Sequence, residues 1–432
     1  MTDKNKFLED LKTLISINSV KCSEDADADA GAPFGKGVRK ALDYFLSVAE
    51  RFGFDIVNYD GYIGEVSYGA GQEIGIIGHL DVVPIGDGWT VSPFALTEKD
   101  GAYYGRGITD DKSAMLLSLY ALNEIKNSGV PFKKKIRLFV GCDEETGWQD
   151  VEYLKTKTSV PEYGFSPDGN FPVVYAEKGF YFVKTTIPPF KNFGGITGGT
   201  VVNAVCAFAK VKIKGDFDRS LLKKYSLTEK DGYVESVGVA AHGSKPQCGK
   251  NALLPLLEFL RDAGEDVGDY IDYLFKNAWG LTDMHNEQGY ITFSPDLASE
   301  RADGTEIVCD IRIPAPFTVE DAKKKLYTAP FKVSVVDHHH PPVMVQKDGL
   351  FVNTLLNAYN EFSEEKGAPV SMGGSTFARV FKKGCAFGPE FPYAPLNMHE
   401  SDEKMDISLL FKCYDIYKKA ILDLVSIDGE LN

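Results

Sequence analysis

The sequence predicts an α/β fold whose main domain is interrupted by an α+β insert. Three observations carry this. Strand-like and amphipathic helical runs alternate through the first part of the chain, the pattern of a layered α/β domain. The character changes around Lys178, where Phe180 to Ile187 alternates as a strand and Pro188-Pro189 breaks it. Segments rich in Asp, Glu and His follow hydrophobic strands on the near side of this change, and another recurs at Asn397-Met398-His399-Glu400 on the far side, so the chain returns to its first domain. The expected organisation is residues 1–179 and 346–432 as one discontinuous domain, with 180–345 as the insert.

In order, Phe7, Leu8, Leu11, Leu14 and Ile15 fall at helical spacing over 6–16. Ser23 to Phe34 is Asp/Ala/Gly-rich and reads as a loop. Val38, Ala41, Leu42, Phe45, Leu46 and Ala49 form one face of a second helix. Strands are expected at 54–59, 61–67 and 73–80, a helix from Ser113 to about Asn127, and a strand over Lys135 to Cys142. In the insert, strands are expected near 207–214, 233–240, 289–293 and 306–313. Helices are expected at Asn251 to Ala263 and Val319 to Tyr327, the latter opened by the capping-box pair Thr318 and Asp321. A long helix is expected from Asp348 to Glu365, with Gly367 as its C′ residue. His338-His339-His340, followed by Pro341-Pro342, reads as a loop rather than a metal site.

The chain has 432 residues, enough for two domains. Its net charge of −15 argues against nucleic acid or an anionic membrane as the main partner. The 7 cysteines are scattered and none forms C-x-x-C, which fits a reducing cytoplasm and disfavours a disulfide framework or zinc ribbon. No apolar run approaches membrane-spanning length.

His79 ends a strand and Asp81 stands two residues on, on the same side if the chain stays extended. There a carboxylate can orient a metal-binding imidazole. Asp110 and Asp111 each suit a helix cap; Asp110 also suits a bridge between two metals. Glu144 and Glu145 follow an apolar strand directly, so one can bind metal while its neighbour holds a water. Asp168 sits in a Pro-Asp-Gly turn, where Asp is ordinary turn chemistry. Jointly these residues and His399 are an N/O ligand set for two divalent ions, suited to Zn²⁺ and admitting Mn²⁺ or Co²⁺.

The motifs Gly78-His79-Leu80-Asp81-Val82-Val83-Pro84, Gly105-Arg106-Gly107-x-x-Asp110-Asp111-Lys112 and Asp143-Glu144-Glu145-Thr146-Gly147-Trp148 resemble those of the two-zinc exopeptidase family. That family includes aminoacylases, carnosinases and glutamate carboxypeptidases. Phe165-Ser166-Pro167-Asp168-x-x-Phe171-Pro172 and Glu177-Lys178-Gly179 are similar to the bacterial PepV-type dipeptidases, which hydrolyse β-alanyl-histidine and a broad set of Xaa–Yaa dipeptides. The resemblance covers nearly the whole chain. It implies a mixed-sheet α/β/α catalytic domain interrupted by a ferredoxin-like lid. It also implies one metal on His79, Asp110 and Asp168, a second on Asp110, Glu145 and His399, Glu144 as the general base for a water between them, and Asp81 as the orienter of His79. In the lid, His242 would polarise the scissile carbonyl, Asn203 would lie at that carbonyl, and Arg312 would grip the substrate carboxylate, with Arg379 a second candidate. The implied substrate is a dipeptide with a free N-terminus. The alternative is an N-acyl amino acid or succinyl-diaminopimelate-type deacylase. The large insert favours a monomer over a homodimer. Ser113 and Ser375 stand where the family has glycine, which touches specificity more than activity.

Overall fold

The computed structural model describes residues 1–22 and 31–431; residues 23–30 of the expected Ser23–Phe34 loop lie outside the described set. The chain forms two compact units. Unit 1 comprises Met1–Tyr175, Val345–Val370 and Thr376–Asn432, and unit 2 comprises Ala176–Met344 with Ser371–Ser375.

Unit 1 is built on a mixed sheet. Six of its nine strands run in the order Asp55–Tyr59, Ile63–Tyr68, Lys134–Gly141, Gln72–His79, Tyr163–Ser166 and Lys383–Ala386. The first two pair antiparallel, and Ile63–Tyr68 is also antiparallel to Lys134–Gly141. From there to Lys383–Ala386 every pairing is parallel. The parallel strands are buried almost throughout, because helices cover both faces. Ile63, Ile77 and Phe139 pack with Val151 and Leu154 of the helix Gln149–Lys157 and with Phe377 and Phe381. On the other face Gly78 lies against Met115 of the helix Lys112–Asn127, which packs against the C-terminal helix Ile407–Ser426. The expected apolar face of the helix Lys36–Arg51 is buried, and the helix packs on the two antiparallel strands.

Unit 2 is built on an antiparallel sheet in the order Thr228–Lys230, Tyr233–Val237, Phe208–Ile213, Phe193–Gly198, Thr292–Arg301, Gly304–Ile313, Gly179–Ile187 and Val333–His340. The helices Leu253–Asp262, Gly268–Phe275 and Val319–Leu326 bury their apolar sides in one core with it. The expected capping box forms in full: Thr318 accepts from the Asp321 N–H, and the Asp321 side chain accepts from the Thr318 N–H.

Three expectations are corrected. The His338-His339-His340 segment is the end of a strand, not a loop, because the β-branched run from Val333 pairs antiparallel with Gly179–Ile187. The helix expected to reach Glu365 spans Leu350–Phe362 and ends in an extended Ser363. Gly367 is therefore not its C′ residue; a Cβ there would come within 2.1 Å of the Pro172 ring, so close packing is what requires the glycine. Asn251 does not open a helix from within: its side chain accepts from the Leu253 N–H at 2.9 Å, ahead of the first helical residue.

Candidate active site

The parallel register explains why distant sequence segments meet. His79 pairs with Gly141, and Ile76 with Phe165. The three adjacent strands therefore end at one level, which presents His79, the Glu144-Glu145 turn and Asp168 together. This is the carboxyl-end crevice of an open α/β sheet. Asp110 and Asp111 precede the helix Lys112–Asn127, and that helix is pressed onto the sheet at Gly78. A Cβ on Gly78 would lie 2.0 Å from Asp111 Oδ2, so only glycine lets the two approach.

Asp110 lies at the centre. Its Oδ1 is 2.9 Å from His79 Nε2, and its Oδ2 is 2.9 Å from His399 Nε2. His399 Nε2 is also 3.1 Å from Glu145 Oε2. His79 Nε2 is 3.8 Å from Asp168 Oδ2. Ligand atoms of His79, Asp110 and Glu145 all lie within 4.8 Å of one another, as do those of His79, Glu144 and Asp168. His79 is fully buried, while the His399 side chain is 54% exposed, so the site opens on the His399 side. On His79 the Nδ1 atom is 2.9 Å from the Asp81 carbonyl oxygen. A proton held there leaves Nε2 as the nitrogen with a free lone pair.

Asp81 does more than the sequence suggests. Its carboxylate Oδ1 stands 3.4 Å from His79 Nδ1. Its two oxygens also accept the backbone N–H groups of Glu144 at 3.2 Å and Glu145 at 3.1 Å. The same side chain thus ties the His79 strand end to the Glu144-Glu145 turn. Asp150 supports that turn from the opposite end by accepting the N–H groups of Cys142 at 2.7 Å and Asp143 at 3.1 Å. Nothing in the sequence marked Asp150, which the structure places in the first turn of the helix Gln149–Lys157. Lys112 is likewise buried, with Nζ donating to the carbonyls of Leu14 and Ile17 at 3.1 and 2.8 Å. Burial brings its pKa down to about 7.

The electrostatics show what such a cluster lacks. Burial, then the Asp168 charge, pushes the carboxyls of Glu144 and Asp111 well above the ordinary range. Burial, then Asp110, raises Asp168 to about 7 and also raises Glu145. Burial opposes charge on His79, yet Asp110 and Asp81 hold it well above the usual imidazole value. Asp110 and Glu145 raise His399 to about 11. Asp111 Oδ1 is buried with no hydrogen-bond partner. Oxygen donors crowded this closely, with imidazole nitrogens on both sides of one carboxylate, fit a pair of divalent cations, which would relieve the repulsion among them.

The remaining predicted residues fall elsewhere. In unit 2, Asn203 and His242 are exposed neighbours, joined by the Ala204–His242 bridge and by the Gly243 N–H donating to the Asn203 carbonyl at 2.7 Å. His242 Nδ1 is 2.6 Å from Ser244 Oγ. Arg312 is buried in unit 2. Its Nε and Nη2 donate to Asp310 at 2.8 Å each, and Nη1 donates to the Gly373 carbonyl at 3.1 Å. Its guanidinium lies 3.8 Å from the Phe180 ring centre. Arg379, in unit 1, is half-buried on the turn Phe377–Val380. Phe377 of that turn packs edge-on against the His79 ring at 6.4 Å.

Known proteins resemble this chain over nearly its whole length. A putative dipeptidase of Bacillus subtilis, YtjP, is 31% identical over 460 residues, covering 98% of this chain and 97% of its own. A Beta-Ala-Xaa dipeptidase of Lactobacillus delbrueckii is 31% identical over 466 residues, covering 99% and 97%. Among solved structures, human carnosine dipeptidase 1 shares the fold at a TM-score of 0.59 and 15% identity, covering 98% of this chain and 97% of that one. The model of peptidase family M20/M25/M40 matches residues 75–423, and the chain belongs to that family.

Proposed function

We propose that this protein hydrolyses the peptide bond of dipeptides with a free N-terminus, of the Xaa–Yaa or β-Ala–Xaa class, using two divalent cations. The observation that carries this reading is Asp110, whose two oxygens face His79 and His399 separately, an arrangement that would suit a carboxylate shared by two cations. His79, Asp110 and Asp168 would hold one cation, and Asp110, Glu145 and His399 the other. The curated dipeptidases at 31% identity support the substrate class.

When bound, the cations supply Lewis acidity and lower the pKa of water. Glu144 does the proton work. It takes a proton from the attacking water and returns it to the leaving amine, and its burial beside Asp168 favours the protonated form between the two steps. Asp81 orients His79 and holds the Glu144 backbone still. His242 donates to the developing oxyanion, a contribution often worth about 3 kcal/mol per donor, and Asn203 binds the same carbonyl. Arg312 binds the substrate carboxylate, with Arg379 the alternate. Asp310 takes Nε–H and one N–H of Nη2, and the Gly373 carbonyl takes one of Nη1, so of the five N–H groups of the fork one on each Nη lies outside these bonds.

Residues 1–179 and 346–432 would form the catalytic domain, and 180–345 the lid. A ferredoxin-like reading of the lid is supported by its strand order. Taken as first to fourth, Gly179–Ile187, Thr292–Arg301, Gly304–Ile313 and Val333–His340 lie in the spatial order second, third, first, fourth, with helices after the first and third. The donor set suits Zn²⁺, with Mn²⁺ or Co²⁺ as alternatives. Free cysteines throughout the described chain support a cytoplasmic setting and a monomer is expected. No helix among the described residues is long and apolar enough to cross a membrane.

The test is a panel of β-Ala-His, Leu-Leu, Ala-Gln and their N-acetyl forms, offered to chelated protein reloaded with each metal. Metal-dependent cleavage confined to the free-amine dipeptides is expected. Cleavage confined to the acylated forms would move the protein to the deacylases, and silence with every metal would overturn the hydrolase reading.

A further inference from the structure

Beyond the residues that face the cations, one fully buried carboxylate gathers donors from a single short stretch of chain. Glu403 is 0% exposed. Its oxygens accept from Arg106 Nη1 at 2.7 Å, the Gly107 N–H at 3.1 Å, the Thr109 N–H at 2.8 Å, Thr109 Oγ1 at 2.7 Å and the Asp110 N–H at 3.4 Å. Its backbone carbonyl accepts the Gly105 N–H at 3.0 Å. Every donor lies in the segment that ends at the shared carboxylate Asp110.

Glu403 belongs to the other half of the same cation site. The chain from Asn397 to Lys404 is a closed loop: Asn397 Nδ2 donates to the Asp402 carbonyl at 2.9 Å, and its Oδ1 accepts the Lys404 N–H at 3.2 Å. His399 projects from this loop with a left-handed backbone, φ 66°. Past Glu403, Lys404–Asp406 pairs antiparallel with Ala102–Tyr104. The strand pair thus runs on into the Gly105–Glu403 bond and then into the carboxylate contacts. The register between the two segments fixes how far Asp110 stands from His399.

We infer that Glu403 is a positioning residue for the cation held by Asp110, Glu145 and His399, setting the separation of its ligands rather than touching the ion. A residue that only glued the fold would have no reason to act on one cation more than the other. Glu403 acts more on one because the segments it joins carry two of that cation's ligands, Asp110 and His399, whereas the other cation shares only Asp110 and takes His79 and Asp168 from the parallel strands, which Glu403 does not contact among the described hydrogen bonds. Outer partners of metal ligands commonly change affinity about 10–100-fold when replaced.

The inference rests on the two-cation reading, and its test needs no substrate. Chelated wild-type protein and Glu403→Gln are titrated with Co²⁺, following visible absorption and bound equivalents, and each metal-free protein is melted. In the variant one Co²⁺ equivalent should weaken by about 10–100-fold, and the other, which shares only Asp110, by a clearly smaller factor. Thr109→Val, which removes one donor and keeps the charge, should weaken the same equivalent by a smaller factor; this variant decides the matter if Glu403→Gln does not fold. Equal weakening of both equivalents, or a lower metal-free melting temperature with neither equivalent altered, would reduce Glu403 to fold support and overturn the inference. A wild-type protein that takes up only one equivalent would overturn the two-cation reading and this inference with it. Two equivalents bound without dipeptide cleavage would overturn only the hydrolase reading.

Discussion

In unit 1 the carboxylates of Asp110, Glu144, Glu145 and Asp168 crowd around two imidazoles, and burial and mutual repulsion push most of them toward protonation. In unit 2 Asp310 is just as deeply buried, yet Arg312 meets it side-on through two nitrogens. Both clusters take charge out of water, at a cost that needs compensation. Unit 2 carries its own counter-charge. In unit 1 two imidazoles face four carboxylates, so the chain's own counter-charge falls short and leaves room for cations, which distinguishes a loadable site from a fixed structural pair. The two sheets match this division. Parallel strands ending level present several residues at one rim, while an antiparallel sheet sends alternate strands to opposite rims.

The sharpest test of the contrast is Glu144→Gln. It should lower kcat by about a thousandfold with both cations retained, checked by elemental analysis beside steady-state rates; loss of metal along with rate would make Glu144 a ligand instead. Next in size, Asp310→Ala leaves the Arg312 charge buried and unpaired. It should cost about 3–5 kcal/mol in denaturant unfolding, with no dependence on added metal. Gly78→Ala forces a Cβ to within 2.0 Å of Asp111 Oδ2. It should cost about 1–3 kcal/mol and weaken metal binding as the helix Lys112–Asn127 moves off the sheet.

A smaller effect separates the units by pH. Asp168, raised to about 7, binds its proton more tightly folded than unfolded. Its contribution to metal-free stability is therefore highest in acid and is lost as pH rises from the ordinary carboxylate range through about 7. Asp168→Asn should raise the melting temperature of chelated protein by about 2–4 °C at pH 8 and lower that of metal-loaded protein. If the variant melts lower in both states, repulsion does not govern this cluster. In unit 2 Asp296, with Oδ2 buried and unpartnered, is raised to about 8 by burial. Asp296→Asn mimics the protonated acid. It should match wild type at pH 5 and melt about 2 °C higher at pH 9, with or without metal.

The sequence made part of the rim of unit 1 legible because His79 and the Glu144-Glu145 pair follow apolar strands and Asp110 precedes a helix, and both signals are local; Asp168 and His399 carried no such signal and came from the resemblance. What joins them is not local. Asp81 meets the N–H groups of Glu144 and Glu145, and Glu403 meets Thr109 across 294 positions. An isolated carboxylate in a sequence carries no sign of which distant N–H groups it will accept. In unit 2 the strands Phe193–Gly198 and Val333–His340 went unread, the first because its glycines weaken the strand pattern and the second because the histidines and prolines look like a loop. Both become strands through the neighbours they pair with, a tertiary effect that propensity does not hold.

The divided composition of unit 1 also orders events as the chain leaves the ribosome. Nearly all of unit 2 is contiguous, Ala176–Met344, so it can collapse as soon as it emerges. Unit 1 cannot. Its strand Tyr163–Ser166 waits for Lys383–Ala386 to occupy its open side, and until then it offers an unpaired edge of buried, apolar character. Premature termination or C-terminal trimming past residue 383 should therefore yield a chain that self-associates, even with unit 2 intact.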